Sequence, residues 1–363
     1  MKKNIFIAIT LAILLSACKN SIDQTTVNKY QNQLNQTLAQ DTLSLFENSD
    51  IKIDLSDFSC KANKAFIECL SPDFKTSIKD SHGNYQELFK AKNILLQSNE
   101  IYKKQAKENT NIKQYYEHLL KEEKILQTNW FIQNFQLGKE IIHDINASLA
   151  QEDPKINAFI EKLNSDSYTL SFGHFLSKKD NDYSNSFLIK LDGAKLNLSI
   201  SFDITMKEDL LNYFDTQGIK LNTTNLTNDF FTTNKNLIFN NETKKYIVLN
   251  NFKINSTLQT EGVFTEILNK VKENLQTLKI QSQNEEQALI FNKTLNVLKS
   301  MTQNNQYQFD LDLKFKNTAL NEYGIEMINN IEKLNINDQD LTEVLKILFP
   351  FLMLSMLMDA PSF

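Results

Sequence analysis

Strict alternation of apolar and polar positions is the clearest signal in this chain. Leu196, Leu198, Ile200, Phe202 and Ile204 alternate with Asn197, Ser199, Ser201 and Asp203. Tyr168, Leu170 and Phe172 do the same, as do Phe187, Ile189 and Leu191. Much later, Tyr307, Phe309, Leu311, Leu313 and Phe315 repeat the pattern. Period two means one apolar face and one wetted face. These segments predict antiparallel strands, since strands of a parallel sheet read as continuous apolar runs. Residues 262–301 instead follow the helical period and predict two helices. The first carries Phe264, Ile267, Val271, Leu275 and Leu278, and the second Leu289, Leu295 and Leu298.

The upstream part mixes both periods. Thr25 to about Glu47 predicts a helix with Val27, Tyr30, Leu34 and Leu38 on one face. Ile51, Ile53 and Leu55 alternate, Asn63-Lys64-Ala65 can turn, and Phe66 to Cys69 returns as the second arm of a hairpin. Strand-like sequence runs on to about Leu96, with His82-Gly83-Asn84 as a turn. Residues 100–126 read as helix, with Tyr115, Tyr116, Leu119 and Leu120 as its apolar set, and Trp130 to Leu137 as strand. Lys139 to Leu163 predicts two short helices broken at Asp153-Pro154, because proline disfavours helix in the residue before it. The fold class is α+β: a large twisted antiparallel sheet with packing helices. Residues 25–363 form a single elongated domain in this reading. Helix followed by alternating strands recurs at about 139–205 and 262–316, so two similar halves, about 25–217 and 218–363, are the alternative.

Composition narrows the function classes. The chain has 363 residues, 41% of them hydrophobic, enough for a sizeable core and against a disordered chain. Lysine supplies all 39 basic residues, arginine is absent, and the formal charge is -5. Without the guanidinium fork and with excess acid, no nucleic-acid partner is expected.

The N-terminus states a compartment. Lys2 and Lys3 precede an apolar run from Ile5 to Leu15, too short to span a bilayer and typical of a signal peptide. Leu15-Ser16-Ala17-Cys18 follows, resembling the bacterial lipobox, in which the thiol is lipidated and small residues precede the cleavage point. An ordinary secretory signal with a chance cysteine is the alternative. Residues 1–17 are thus the expected signal peptide and 18–24 a lipidated tether. At about 0.8 kcal/mol per buried CH₂, two or three acyl chains hold a protein stably on a membrane. Lys19, rather than an aspartate, follows Cys18 and favours the outer membrane. The remaining cysteines, Cys60 and Cys69, fall near each other across the hairpin and predict a structural disulfide outside the cytoplasm. A redox pair or half a metal site is the alternative, but neither C-x-x-C nor further ligands lie nearby.

Catalytic motifs are absent: no G-x-S-x-G, H-E-x-x-H or Gly-rich phosphate loop. His82, His118, His143 and His174 are scattered and read as lone surface histidines, and Asp310 and Asp312 as the polar face of the last clear strand. No enzyme, metal or cofactor is expected. One motif remains. Asp144-Ile145-Asn146-Ala147-Ser148 is D-x-N-x-S, the extended acceptor of bacterial N-glycosylation, and it requires an exposed segment. The tail Ile347 to Met358, ILFPFLMLSMLM, reads as a buried terminal helix entered at Asp340, with Glu343 three residues on. Alternatively, Phe351, Leu352, Met353 and Met356 offer an adaptable hydrophobic binding surface.

Lipobox, sequon, length and composition together resemble the JlpA family of surface-exposed lipoprotein adhesins of campylobacters. Only Cys18 and the Asn146 sequon are specific local marks. The resemblance implies an open, half-barrel-like curved sheet around an apolar concave basin. It further implies surface display on the outer membrane, adhesion to host epithelium, and contact with a host ninety-kilodalton heat-shock chaperone. The competing expectation is a periplasm-facing lipoprotein that carries lipid or hydrophobic peptide in an apolar groove. An envelope scaffold is a third.

Overall fold

The computed structural model describes residues 22–38, 50–80, 82–100, 110–122, 124–148, 154–218, 220–221, 240–260, 262–281, 284–303, 306–317, 319–320 and 329–348. Helix α1 (Gln24–Thr37) starts where the Asp23 carboxylate accepts from the Thr26 N–H at 2.9 Å, satisfying a backbone donor that the first turn cannot. Its expected face is used: Val27 is fully buried, and Tyr30, Leu34 and Leu38 pack against Phe58, Ile67, Cys69, Ile94 and Leu96. Strands β1 (Ile51–Leu55), β2 (Ser59–Asn63), β3 (Phe66–Lys79) and β4 (Tyr85–Ser98) follow. The hairpin expectation is corrected in one respect. β2 pairs with the first part of β3, while β1 pairs further along it, Ile51 opposite Ile78. β3 has 14 residues and β2 only five, so the rest of β3 takes a second partner.

Next come β5 (Thr110–Asn111), α2 (Ile112–Glu122) and β6 (Ile125–Leu137). The helix expected over 100–126 is therefore shorter, and Ile125 and Leu126 belong to the strand. Helices α3 (Lys139–Ser148) and α4 (Pro154–Asn164) stand where the proline break placed them. Strands β7 (Tyr168–Lys179), β8 (Asp182–Asp192) and β9 (Leu196–Met206) are the alternating segments. They lead to α5 (Glu208–Thr216), β10 (Lys220–Leu221), α6 (Asn241–Lys244) and β11 (Ile247–Gln259). The helical pair α7 (Thr265–Gln281) and α8 (Glu285–Met301) precedes β12 (Thr302–Gln303), β13 (Gln306–Phe315), β14 (Ile331–Ile336) and β15 (Gln339–Asp340). A last helix, α9, covers 342–348 among the described residues, with Asp340 accepting from the Thr342 N–H at 2.9 Å.

Among the described residues thirteen strands form one open antiparallel sheet in the order β1-β3-β4-β6-β7-β8-β9-β11-β13-β14-β15, with β2 also on β3 and β12 also on β13. β9 pairs directly with β11, so one sheet runs through the chain. The sheet curves, and asparagine contributes. Asn93 and Asn134 hold φ of 53° and 51° beside register shifts in β4 and β6. Such bulges bend a strand, and Asn tolerates the left-handed region better than most residues.

Register turns the sequence alternation into continuous rows. Leu96, Trp130, Phe172, Ile189, Ile200, Ile254, Leu311 and Ile336 are successive partners across eight strands. The neighbouring row runs Thr128, His174, Phe187, Phe202, Phe252, Leu313 and Leu334. One face of the sheet is therefore apolar nearly from end to end, and the helices bury it piecemeal. α1 covers the β3–β6 part. Leu210, Leu211 and Phe214 of α5 pack on Leu126, Leu176 and Tyr183. Leu345 of α9 packs on Phe315 and Ile331. Phe159 of α4 meets Phe264 at 5.7 Å, and Phe264 meets Tyr307 at 6.2 Å.

Candidate functional site

Among the described residues the middle of the apolar face is its least covered part. Phe172 and Ile189, partners on β7 and β8, are 38% and 36% exposed. With Trp130, Phe187 and Phe202 they line an open cavity of about 320 Å³. Its floor is stiff. The Phe187 and Phe202 rings stack at 4.7 Å, and His174 stacks on Phe187 at 4.8 Å. On the opposite face of the sheet, a Cβ at Gly173 would come within 3.2 Å of Asn129 Oδ1 and 3.1 Å of the Phe175 ring, so glycine allows the close packing beneath the floor.

One end of this patch is polar. Glu100 follows β4, and its Oε1 lies 3.4 Å from His174 Nδ1. His174 Nε2 is 3.0 Å from Asn185 Oδ1, which fixes the ring from the other side. Burial pushes the imidazole down, but the contacts with Glu100 and Asn185 and the carboxylate charge outweigh it, leaving its pKa above 6.5. The same carboxylate and, more strongly, burial push the phenols of Tyr30 and Tyr116 up to about 12. His174 is thus a half-buried, doubly held group and not the lone surface histidine the sequence implied. Glu100 carried no signal of its own, because it sits past the end of a strand, outside the alternation.

The residues singled out from sequence do not converge on this patch. Cys60 and Cys69 are register partners on β2 and β3 and form a disulfide with S–S 2.00 Å, some way along the sheet beneath α1. Asn146 is on α3, half-buried, and its Oδ1 accepts from Asn164 Nδ2 at 2.7 Å. Asp144 and Ser148 are exposed, and the Ser148 hydroxyl donates to the Asp144 carbonyl at 2.6 Å. Asp310 and Asp312 lie on the polar face: Asp310 accepts from Gln308 Nε2 at 2.6 Å and Asp312 stands 3.6 Å from Lys253. Cys18, Phe351, Leu352, Met353 and Met356 lie outside the described residues. Among the described residues no cluster of His, Cys, Asp and Glu could hold a metal, and no helix is long and apolar enough to cross a membrane.

The structure is thus an open, curved sheet whose apolar face is helix-covered at its margins and, among the described residues, partly exposed at its centre. The chain belongs to the adhesin family from Campylobacter, whose model, JLPA, matches residues 20–362. A search of curated proteins finds no match to the sequence.

Proposed function

We propose that this adhesin is an outer-membrane lipoprotein displayed on the cell surface, anchored through Cys18, that binds host epithelial cells through the bare centre of its apolar face. The observation that carries the reading is the exposure of Phe172 and Ile189 in the middle of an otherwise covered face. Contiguous exposed apolar surface rimmed by polar groups marks interaction sites. Membership of an adhesin family supports a cell as the target, and the lipobox supports the anchor. A glycan on Asn146 and a ninety-kilodalton host chaperone as partner belong to the same proposal. No catalytic step is part of it.

The first experiment is protease shaving of intact cells with a periplasmic protein as control. Digestion of this chain while the control survives supports surface display. Protection until the outer membrane is broken removes host contact and favours the second reading. In that reading the chain faces the periplasm, and the same 320 Å³ patch holds an apolar ligand.

A further inference from the structure

One edge of the sheet is finished in two different ways. β2 and β1 lie end to end along β3. At β2 the outward backbone groups are met by α1. The Cys60 N–H donates to Gln31 and the Phe58 N–H to Asn35, whose amide donates back to the Phe58 carbonyl at 3.0 Å. β1 is different. The Asp50 carbonyl accepts from the Lys79 N–H, and the Ser56 N–H donates to the Asp73 carbonyl. The even-numbered positions therefore face β3, and Ile53 and Leu55 turn their N–H and C=O groups outward. β1 is the last strand on this side. Among the described residues no backbone or side-chain group bonds to those two residues from outside the sheet. An open cavity of about 320 Å³, lined by Ile53, Leu55 and Phe74 among others, lies at this point.

An exposed edge is a template for another strand, and the sequence of β1, Ile-Lys-Ile-Asp-Leu, says which. Lys52 and Asp54 are about half exposed and 3.0 Å apart on one side of the strand. Ile51, Ile53 and Leu55 are half-buried on the other. A second copy laid antiparallel about Ile53 sets Lys52 of each chain opposite Asp54 of the other. Centring the pair one residue later sets Asp54 against Asp54, and one residue earlier Lys52 against Lys52. The Ile53-centred register alone turns both charges into attractions, and it brings the outward groups of the two Ile53 residues together. A two-fold contact needs such a self-complementary strand.

We propose that β1 is a self-pairing edge: two copies of this chain join β1 to β1 antiparallel about Ile53, making one continuous sheet. A five-residue strand buries less than the roughly 1,200 Å² of the smallest stable interfaces, so the contact is weak and reversible. Tethering both copies in one membrane plane, as the lipobox implies, raises their effective concentration. The inference goes beyond the host-contact reading and does not use the bare patch.

Sedimentation equilibrium of the mature chain at low salt should show a dimer that dissociates on dilution and with added salt. Lys52→Asp and Asp54→Lys, each alone, set like charges opposite each other and should weaken the dimer at least about tenfold. The two changes move the net charge in opposite directions, so a general charge effect cannot weaken both. Mixed in equal amounts, the two variants should form a heterodimer near the parent's strength, because the acids of one face the lysines of the other. Ile53→Pro removes an outward N–H and no bond to β3. It should abolish the dimer and keep the parent's circular dichroism spectrum. A chain that stays monomeric at every concentration overturns the proposal, and protection of the Ile53 and Leu55 amides from hydrogen exchange in that monomer would show the edge covered from within the chain. A dimer indifferent to the charge variants, or a mixture that does not recover it, overturns the proposal too.

Discussion

Trp130 and Phe172 are register partners on β6 and β7, and the border between covered and bare apolar surface runs between them. Trp130 packs under the N-terminal helix, edge-on to Phe58 at 6.0 Å. Phe172, one strand further, is 38% exposed. The two residues occupy the same row of one face, so what separates them is the reach of the cluster that α1 and Phe58 close. Phe172 keeps more than half of its surface buried, so substituting it by serine costs stability, but less than truncating the larger, less exposed Trp130. The thermal midpoint should fall by only a few degrees, whereas Trp130→Ala should cost about 3–5 kcal/mol. Denaturant unfolding of both variants checks the contrast.

The disulfide closes a short loop between adjacent strands. In the chain-entropy model a loop of about ten residues is worth roughly 2–3 kcal/mol. The double variant Cys60→Ser, Cys69→Ser should lose about that much in urea unfolding. It should keep α1 docked, because Gln31 and Asn35 hold the β2 region through bonds to the Cys60 and Phe58 N–H groups, each at 2.8 Å. A circular dichroism spectrum like that of the parent, with a lower midpoint, is the expected outcome.

His174 gives a pH dependence with a definite sign. Its folded pKa is raised above 6.5, so its contribution to stability is complete below pH 6.5 and is lost as pH rises through the folded pKa. The stability advantage of the parent over His174→Gln should be largest in acid and shrink toward alkaline pH. Melting curves across that range check it, and an advantage that grows with pH contradicts the assigned pairing with Glu100.

Gly138 links β6 to α3, and its N–H donates to the Leu88 carbonyl at 2.8 Å. A Cβ there would collide with the backbone carbonyl of Glu87. Gly138→Ala must push the β6–α3 junction away from β4 and should cost on the order of 1–3 kcal/mol, seen in the unfolding midpoint.

The sequon carries its own constraint. Asp144 and Ser148 are four residues apart on α3 and share one face, while Asn146 points away from them. An enzyme that reads all three at once must unwind this turn and break the Asn164–Asn146 bond. Urea-loosened chain should therefore accept glycan on Asn146 faster than folded chain, measured by intact mass. Equal rates would count against the requirement.

Much of this was legible in the sequence, for physical reasons. Period-two alternation marked Phe172, Phe187, Ile189 and Phe202 as one face, and Val27, Tyr30, Leu34 and Leu38 as the stripe of α1. Alternation is local, however, and does not say which stretch of a face a distant helix will cover. That Phe172 is exposed while Trp130 is sheltered depends on Phe58 and the cluster around α1, far upstream in the chain. Glu100 and His174 are 74 positions apart and meet only through the β4-β6-β7 order. The second positive-φ pair, Asn337 and Asp338 at 47° and 61°, forms the tight β14–β15 turn that this dipeptide suits, a signal present in the sequence and not used.

The central claim is that the bare centre of the apolar face makes the contact with host cells. Binding of purified mature chain to epithelial cells, compared with the variant Phe172→Glu, Ile189→Glu, tests it most directly. The variant should keep the parent's fold and lose at least about tenfold in cell binding. A folded double variant that binds cells as well as the parent would contradict it.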